Sequence, residues 1–381
     1  MTWINLGENR YHLVWCYHHL VLDGWSASQL LKEVFQSYLA SSGAVPPLST
    51  PVSTAYGDYI AWINKQDISQ AENFWTEYLK DWNGPVELAI LNRFNVAKQS
   101  QNTQSQNTQN NSSPTQTLAE QQRPLSTKAT QKLKAFAGTN QITLNTIIQA
   151  ALGLVLSRYC NTPDVVFGAT CAGRPPGLSG ALSMVGLFII TLPVHVQVEP
   201  QTTVEIWLQM LSAQQATTTD YEYVSLRSLQ TTISEGKSLF DTLLVFESYP
   251  VAADMLSTQK DLQLEDIQFN EWTHFPLTIL VSGDDQLTFT AKYRTDELSP
   301  EAVSRLLGHL NNAIIAFVKK PSRELQEISL LCSVAKKQLA DWNRTAVDDY
   351  PLDKSVPDLS AAQVEKTPET IALIYENQSL T

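Results

Sequence analysis

One stretch constrains this chain more than any other. Between residues 97 and 122 the sequence runs through QSQNTQSQNTQNNSSPTQT with almost no apolar side chain. Such a segment buries too little surface to offset the entropy of ordering it. It is expected as a solvated, disordered insertion, and whatever folds must do so on either side of it. That leaves residues 1–96, residues 123–332, and a polar, Pro-punctuated tail over 333–381. The 381 residues allow two or three compact units at about 100–200 residues each, and 43% hydrophobic against 17% charged residues supplies material for their cores. Disorder of the whole chain is excluded.

Charge and cysteine content exclude several functions. A formal net charge of -12 argues against a bare nucleic-acid surface, because neutralising phosphates needs clustered Lys and Arg. The 4 Cys (Cys16, Cys160, Cys171, Cys332) are scattered with no CxxC pair, which fits neither a zinc ribbon nor a disulfide scaffold. No apolar run approaches the roughly 18 residues of a membrane span, and the first residues lack the pattern of a secretory signal. A soluble, cytoplasmic protein in a reducing compartment is expected.

The N-terminal part opens abruptly on strand-like sequence. Thr2 to Leu6 reads as a strand, Gly7-Glu8-Asn9 as a turn, and Tyr11 to Tyr17 (YHLVWCY) as a second strand, apolar on both faces like an interior strand. A hairpin alone is marginal in water, so such a strand calls for neighbours, and an incomplete N-terminal region is expected. Ser26 can cap a helix to about Leu39, and helices follow around Tyr56 to Asn64 and Gln70 to Trp82. The aromatics of Tyr56 to Trp62 are expected in a helix core.

Beyond residue 122, a helix is expected near Ser126 to Ala137 and a stronger one after Thr143, where Leu144, Ile147, Ile148, Ala151, Leu152 and Val155 recur at helical spacing. Strand-like runs lie at Val165 to Thr170, Phe188 to Val198, Thr242 to Phe246, Leu277 to Val281 and Leu287 to Tyr293, before a helix from Pro300 to about Val318. Strands and helices mix without strict alternation, which reads as an α/β or α+β layered fold.

Chemistry concentrates at His18-His19-Leu20-Val21-Leu22-Asp23-Gly24, between the second strand and the first helix. A strand-to-helix junction presents side chains at the rim of a cleft. Histidine can take a proton from an amine or hydroxyl near neutral pH. Asp23 could fix a tautomer or pair with an Arg, and Gly24 permits unusual backbone angles. The alternative, that the paired His are partly buried structural groups, stands equally on the residues alone. A metal site fits less well, since the helical i, i+4 His spacing is missing.

HHLVLDGWS resembles the HHxxxDG motif of the condensation domains of nonribosomal peptide synthetases, within the chloramphenicol-acetyltransferase-like superfamily. Further segments resemble that family in order: Tyr56 to Trp62 (YGDYIAW), Phe167 to Thr170 with Gly173-Arg174-Pro175, Met184 to Pro193 (MVGLFIITLP), Tyr221 to Leu226, Phe240 to Glu247, and His274 to Leu277. Trp342 to Thr345, Tyr350-Pro351 and Thr367 to Leu373 resemble the linker and start of an adenylation domain.

The resemblance implies a two-lobed chloramphenicol-acetyltransferase-like fold with its N-terminal lobe incomplete over 1–96, the insertion over 97–122, the C-terminal lobe over 123–332, and a linker with the adenylation start over 333–381. It implies amide-bond formation between a donor acyl or peptidyl thioester and an acceptor aminoacyl thioester. Both substrates ride on the phosphopantetheine of carrier proteins, with no cofactor bound directly. Carrier proteins and the adjacent adenylation domain are the implied partners, with no nucleic acid and no membrane. His19 takes the proton or positions the amine; His18 and Asp23 shape the loop, and the Gly24 N–H faces a developing oxyanion. Trp25, Arg174, Gly186, Phe188, Thr191 and His274 are tunnel candidates, and Arg174 is the within-chain candidate to pair with Asp23.

Two departures qualify this. The family's SxAQ-like and RHExLR-like early segments are absent, and Ile190 stands where the family usually has Asn. The start of an adenylation domain argues against an epimerisation domain, and His18 argues against a cyclising one. A non-catalytic remnant that only docks carrier proteins is the remaining alternative.

Overall fold

The computed structural model describes residues 1–41, 55–85, 118–247, 271–345 and 353–381. In chain order, the first elements are β1 (Thr2–Gly7), β2 (Arg10–Val14), α1 (Gly24–Ser41), α2 (Tyr56–Ile63) and α3 (Ile68–Tyr78). Next come β3 (Leu118–Pro124), α4 (Thr127–Thr139), α5 (Leu144–Cys160), β4 (Asp164–Cys171) and β5 (Ile190–Gln197). Then follow α6 (Val204–Thr218), α7 (Leu226–Ser234), β6 (Thr242–Phe246), β7 (Leu277–Ser282), β8 (Thr288–Arg294) and α8 (Pro300–Lys319). Residues Met1–Leu330 form one compact unit and Leu331–Thr381 another.

Six strands make a mixed sheet in the order β3-β8-β7-β6-β4-β5. Only the β6–β7 and β4–β6 pairs are parallel. The alternation of each strand sorts its side chains between two cores. Phe167, Leu277, Ile279, Phe289 and Ala291 face the larger one with Leu133 of α4, Leu208 of α6, and Leu306 and Leu310 of α8. Helix α5 is apolar nearly all round and is buried from Thr146 to Ser157, as such a helix must be. On the opposite face, Val166, Leu192 and Leu243 pack against Ala71 and Trp75 of α3 and Leu229 of α7. A third, small cluster joins Tyr59 to Met184 and Phe188, with Tyr56 and Trp62 against it, so the aromatics of α2 do form helix core.

Short polar side chains set the helix starts. Thr143 Oγ1 accepts the N–H of Thr146 at 3.0 Å, and Ser299 Oγ that of Ala302 at 3.2 Å with Pro300 opening α8. The outer edge of β5 is closed by side chains. The His195 N–H donates to Tyr78 Oη (3.2 Å), while Gln214 donates to the His195 carbonyl (2.8 Å) and Trp207 to that of Gln197 (2.7 Å). Such occupation prevents the edge from recruiting another strand.

Four sequence expectations differ from what is found. Residues 118–122 of the expected insertion belong to β3, in register with β8 from Leu118↔Arg294 to Pro124↔Thr288; the rest of that insertion, like the Pro/Ser-rich loop expected over 45–51, lies outside the described residues. Polar side chains suit this strand because it is an edge of the sheet. The second strand ends at Val14 rather than Tyr17. Among the described residues it pairs with β1 alone, leaving Tyr11 and Val14 exposed instead of interior. Helix α1 begins at Gly24, so Ser26 lies inside it and Asp23 is the cap. Asp23 Oδ1 accepts the N–H of Ser26 at 2.7 Å. Finally, the segment after Cys332 begins with a helix, α9 (Ser333–Trp342).

The second unit adds α10 (Val356–Lys366), opened by a capping box between Ser355 and Asp358, and the two-stranded pair β9 (Leu373–Tyr375) and β10 (Gln378–Leu380). Among the described residues no helix is long and apolar enough to cross a membrane.

Candidate active site

The His turn links the hairpin to α1. It closes by a Val21 N–H to His18 carbonyl bond of 3.1 Å. The two imidazoles hold opposite tautomers, and backbone chemistry decides this. His19 Nδ1 lies 2.8 Å from the Leu22 carbonyl oxygen, which can only accept, so Nδ1 carries the proton and Nε2 keeps its lone pair. His18 Nδ1 instead accepts the N–H of Leu20 at 3.0 Å, which leaves its proton on Nε2. Both rings are exposed, and Leu20 and Val21 beside them are exposed as well. Of the two, His19 offers a free base nitrogen on a ring oriented from behind.

Behind the turn the structure is buried and polar. Asp23 is 2% exposed. Its Oδ2 accepts the N–H of Phe188 at 2.9 Å, and Arg174 Nη2 sits 3.4 Å from Oδ1. Of the two roles open to Asp23 in the sequence, pairing with an Arg is therefore the one realised, and the Leu22 carbonyl fixes the tautomer of His19. Arg174 also donates to the carbonyls of Ala181 and Met184 and to Ser26 Oγ (2.9 Å). Its guanidinium lies 4.0 Å from the Phe188 ring centroid and 5.7 Å from that of Trp25. Burial works against the Arg174 charge and the Asp23 carboxylate works for it.

The segment from Ala181 to Phe188 forms the opposing wall. Trp25 Nε1 donates to the Leu182 carbonyl at 3.0 Å, as does Gln29. Tyr56 Oη donates to the Leu187 carbonyl at 2.6 Å, and its ring occupies the space a Cβ on Gly186 would need, 2.2 Å away. Burial, with Tyr56 beside it, pushes the Tyr59 phenol up to about 12, so it stays neutral. The backbone freedom expected at Gly24 is used instead at Gly173. Its φ is +62°, and a Cβ there would stand 1.7 Å from the Phe188 carbonyl oxygen. Gly24 simply opens α1.

The structure thus brings Asp23, Trp25, Arg174, Gly186 and Phe188 together behind His18 and His19. Thr191 is set apart in β5, opposite Thr170, and His274 is exposed with its ring 4.2 Å from that of Phe275. His195 lies half-buried in β5, 3.3 Å from Asp164. Ile190 opens β5 and packs against the second core. Sequence reasoning missed Ser26 as a member of the site. It is 0% exposed and bonded to Gly186 and Arg174; its only signal was its place directly after Asp-Gly-Trp.

The large mixed sheet with helices on both faces is the chloramphenicol-acetyltransferase-like fold. Within that class, residues 1–340 match the family model of the condensation domain, and the chain belongs to that family. It is 35% identical over 387 residues to one of the proteins that make up the linear gramicidin synthase of Brevibacillus parabrevis, covering 100% of this chain and 5% of that protein. The first condensation domain of the calcium-dependent antibiotic synthetase superposes with a TM-score of 0.61 at 14% identity, over 83% of this chain and 66% of that one. A four-domain nonribosomal peptide synthetase gives 0.61 at 15% identity, over 96% of this chain and 28% of that one. At these identities the solved structures speak to the fold alone. The chain spans a small fraction of the curated relatives it matches.

Proposed function

We propose that this chain joins a donor acyl or peptidyl thioester to the amine of an acceptor aminoacyl thioester, both held on the phosphopantetheine arms of carrier proteins. The observation that carries this is the 2.8 Å contact between His19 Nδ1 and the Leu22 carbonyl oxygen, which engages Nδ1 as donor and leaves Nε2 for the amine. The acceptor amine attacks the thioester carbonyl and a C–N bond forms. Its proton passes to His19 Nε2, and the C–S bond breaks as the thiol leaves with that proton. Holding two tethered reactants together supplies a further part of the rate. Asp23 and Arg174 hold the turn, and His18 belongs to its frame. The Gly24 N–H, at the positive end of α1, is suited to a developing oxyanion. Trp25, Gly186 and Phe188 back the turn that carries His19, while Thr191 and His274, set apart from it, are assigned to the tunnel by the family resemblance.

Residues 333–381 are in this reading a linker and the opening of an adenylation domain, supported by the helix-then-strand order of α10, β9 and β10. The partners are carrier proteins and that adenylation domain, with no cofactor bound directly. A second reading, a docking module without catalysis, draws on Ile190, whose apolar side chain packs into the second core where the family usually has Asn.

Mixing the chain with donor-loaded and aminoacyl-loaded carrier proteins separates the two. Dipeptidyl thioester detected by mass spectrometry, and lost on His19→Ala, is the expected result. Carrier binding without product favours the docking module, and undiminished product from His19→Ala overturns the assignment of His19.

A further inference from the structure

We infer that Ser26 is a positioning residue for this reaction, orienting the His19 imidazole through the Leu22–Asp23 peptide, a role that rests on the proposed part of His19. A serine in the first turn of a helix ordinarily faces water or serves as cap. Here Asp23 is the cap, and Ser26 is 0% exposed. Its hydroxyl donates to the Gly186 carbonyl at 2.9 Å and accepts both the Gly186 N–H (3.1 Å) and Arg174 Nη2 (2.9 Å). One donor and two acceptor positions are all a hydroxyl has, so the group is saturated.

The consequence runs through one rigid peptide. The oxygen of the Leu22–Asp23 unit accepts from His19 Nδ1 at 2.8 Å, and its N–H donates to the Gly186 carbonyl at 3.2 Å. A peptide is planar, so fixing the direction of the N–H fixes that of the C=O. The Gly186 carbonyl is the anchor, and Ser26 grips both polar groups of Gly186. Replacing the hydroxyl leaves the Gly186 N–H without its acceptor in a buried site. It also leaves Arg174 Nη2 with only the longer contact to Asp23. Gly186 then shifts or admits water, the peptide turns, and the imidazole loses the carbonyl that holds its proton on Nδ1. Asp23 and Arg174 set the charge balance of the site; Ser26 sets its register.

The test compares Ser26→Ala with Ser26→Thr, which keeps the hydroxyl, in the full chain labelled with 15N at histidine. The wild type should show the Nδ1–H pattern for His19 in two-bond 15N–1H spectra. In Ser26→Ala that pattern should give way to a tautomer mixture, and amide exchange at Gly186 should quicken about tenfold, while peptides from α5 exchange as before. With loaded carrier proteins, kcat should fall about 10–100-fold, the scale of an ångström of misplacement, with KM within about twofold. Ser26→Thr should recover most of both. Should Ser26→Ala fail to fold, Ser26→Cys, near-isosteric with a far weaker hydrogen bond, carries the same measurements. An unchanged His19 pattern in a folded variant overturns the positioning role. A wild type that makes no product, but whose His19 tautomer still responds to Ser26, overturns the catalytic reading and leaves the positioning role standing.

Discussion

The sheet with its helices and the turn that carries His19 lie in the same compact unit, yet different forces hold them. Phe167, Ile279, Phe289 and Leu310 belong to a large cluster of buried apolar side chains and have exposures at or near zero. Stability there comes from area removed from water, about 25 cal/mol per Å², and is spread over many side chains. Behind the His turn, Asp23, Ser26 and Arg174 meet two backbone segments through a handful of charged and neutral hydrogen bonds. Such a network is directional: it costs much to half-satisfy, and it fixes one geometry. A dispersed core tolerates error in any one contact, whereas the polar anchor concentrates its geometry in three residues.

The largest effect that sharpens this contrast is expected at Arg174. Arg174→Ala leaves the Asp23 carboxylate buried without its cation, a loss of about 3–5 kcal/mol. Amide exchange should rise over residues 18–30 and 182–190 while peptides from α5 and β8 keep their protection. Equal loss of protection in both regions would break the contrast. Next comes Leu310→Ala, which removes a fully buried side chain from α8 and should cost about 2–5 kcal/mol. Here Tm should fall and exchange rise across the sheet, with the His19 turn following rather than leading.

The smallest effect concerns Glu222, where burial raises the carboxyl above its ordinary value and a hydrogen bond from Cys171 opposes this in part. The folded pKa thus exceeds the unfolded one. The protonated carboxyl is accommodated fully below the unfolded value of about 4.3, and stability is lost as pH rises through the raised folded value. Glu222→Gln removes the penalty. Its Tm should match wild type near pH 4 and exceed it at pH 7–8, the gap opening as pH rises through the raised folded value. A gap that is constant with pH would assign the effect to packing instead.

Much of the sheet was legible in sequence. Runs such as Thr242 to Phe246 and Leu277 to Val281 are too apolar to sit anywhere but inside, and they are strands β6 and β7 at nearly those bounds. Strand β3 was not legible, since LAEQQRP carries no inward alternation strong enough to stand out from the polar stretch before it. Its pairing with β8 is a backbone matter. The start of α1 misled for a related reason: Asp23 and Ser26 are both good caps, and the choice between them depends on what each side chain meets.

The sequence alone identified His18, His19 and Asp23 as chemistry waiting on a partner, because only a few residue types can move a proton or hold a buried charge. It also divided apolar from polar face along most helices and strands, because period and burial are local properties of the chain. Only the tertiary structure decided that Asp23 pairs with Arg174, that His19 keeps its proton on Nδ1, and that Ser26 joins both to Gly186. Those contacts link residues some 150 or more positions apart, or depend on which carbonyl a ring happens to face. Hydrogen bonds of that reach follow from how the backbone returns on itself, which no local pattern of side chains encodes.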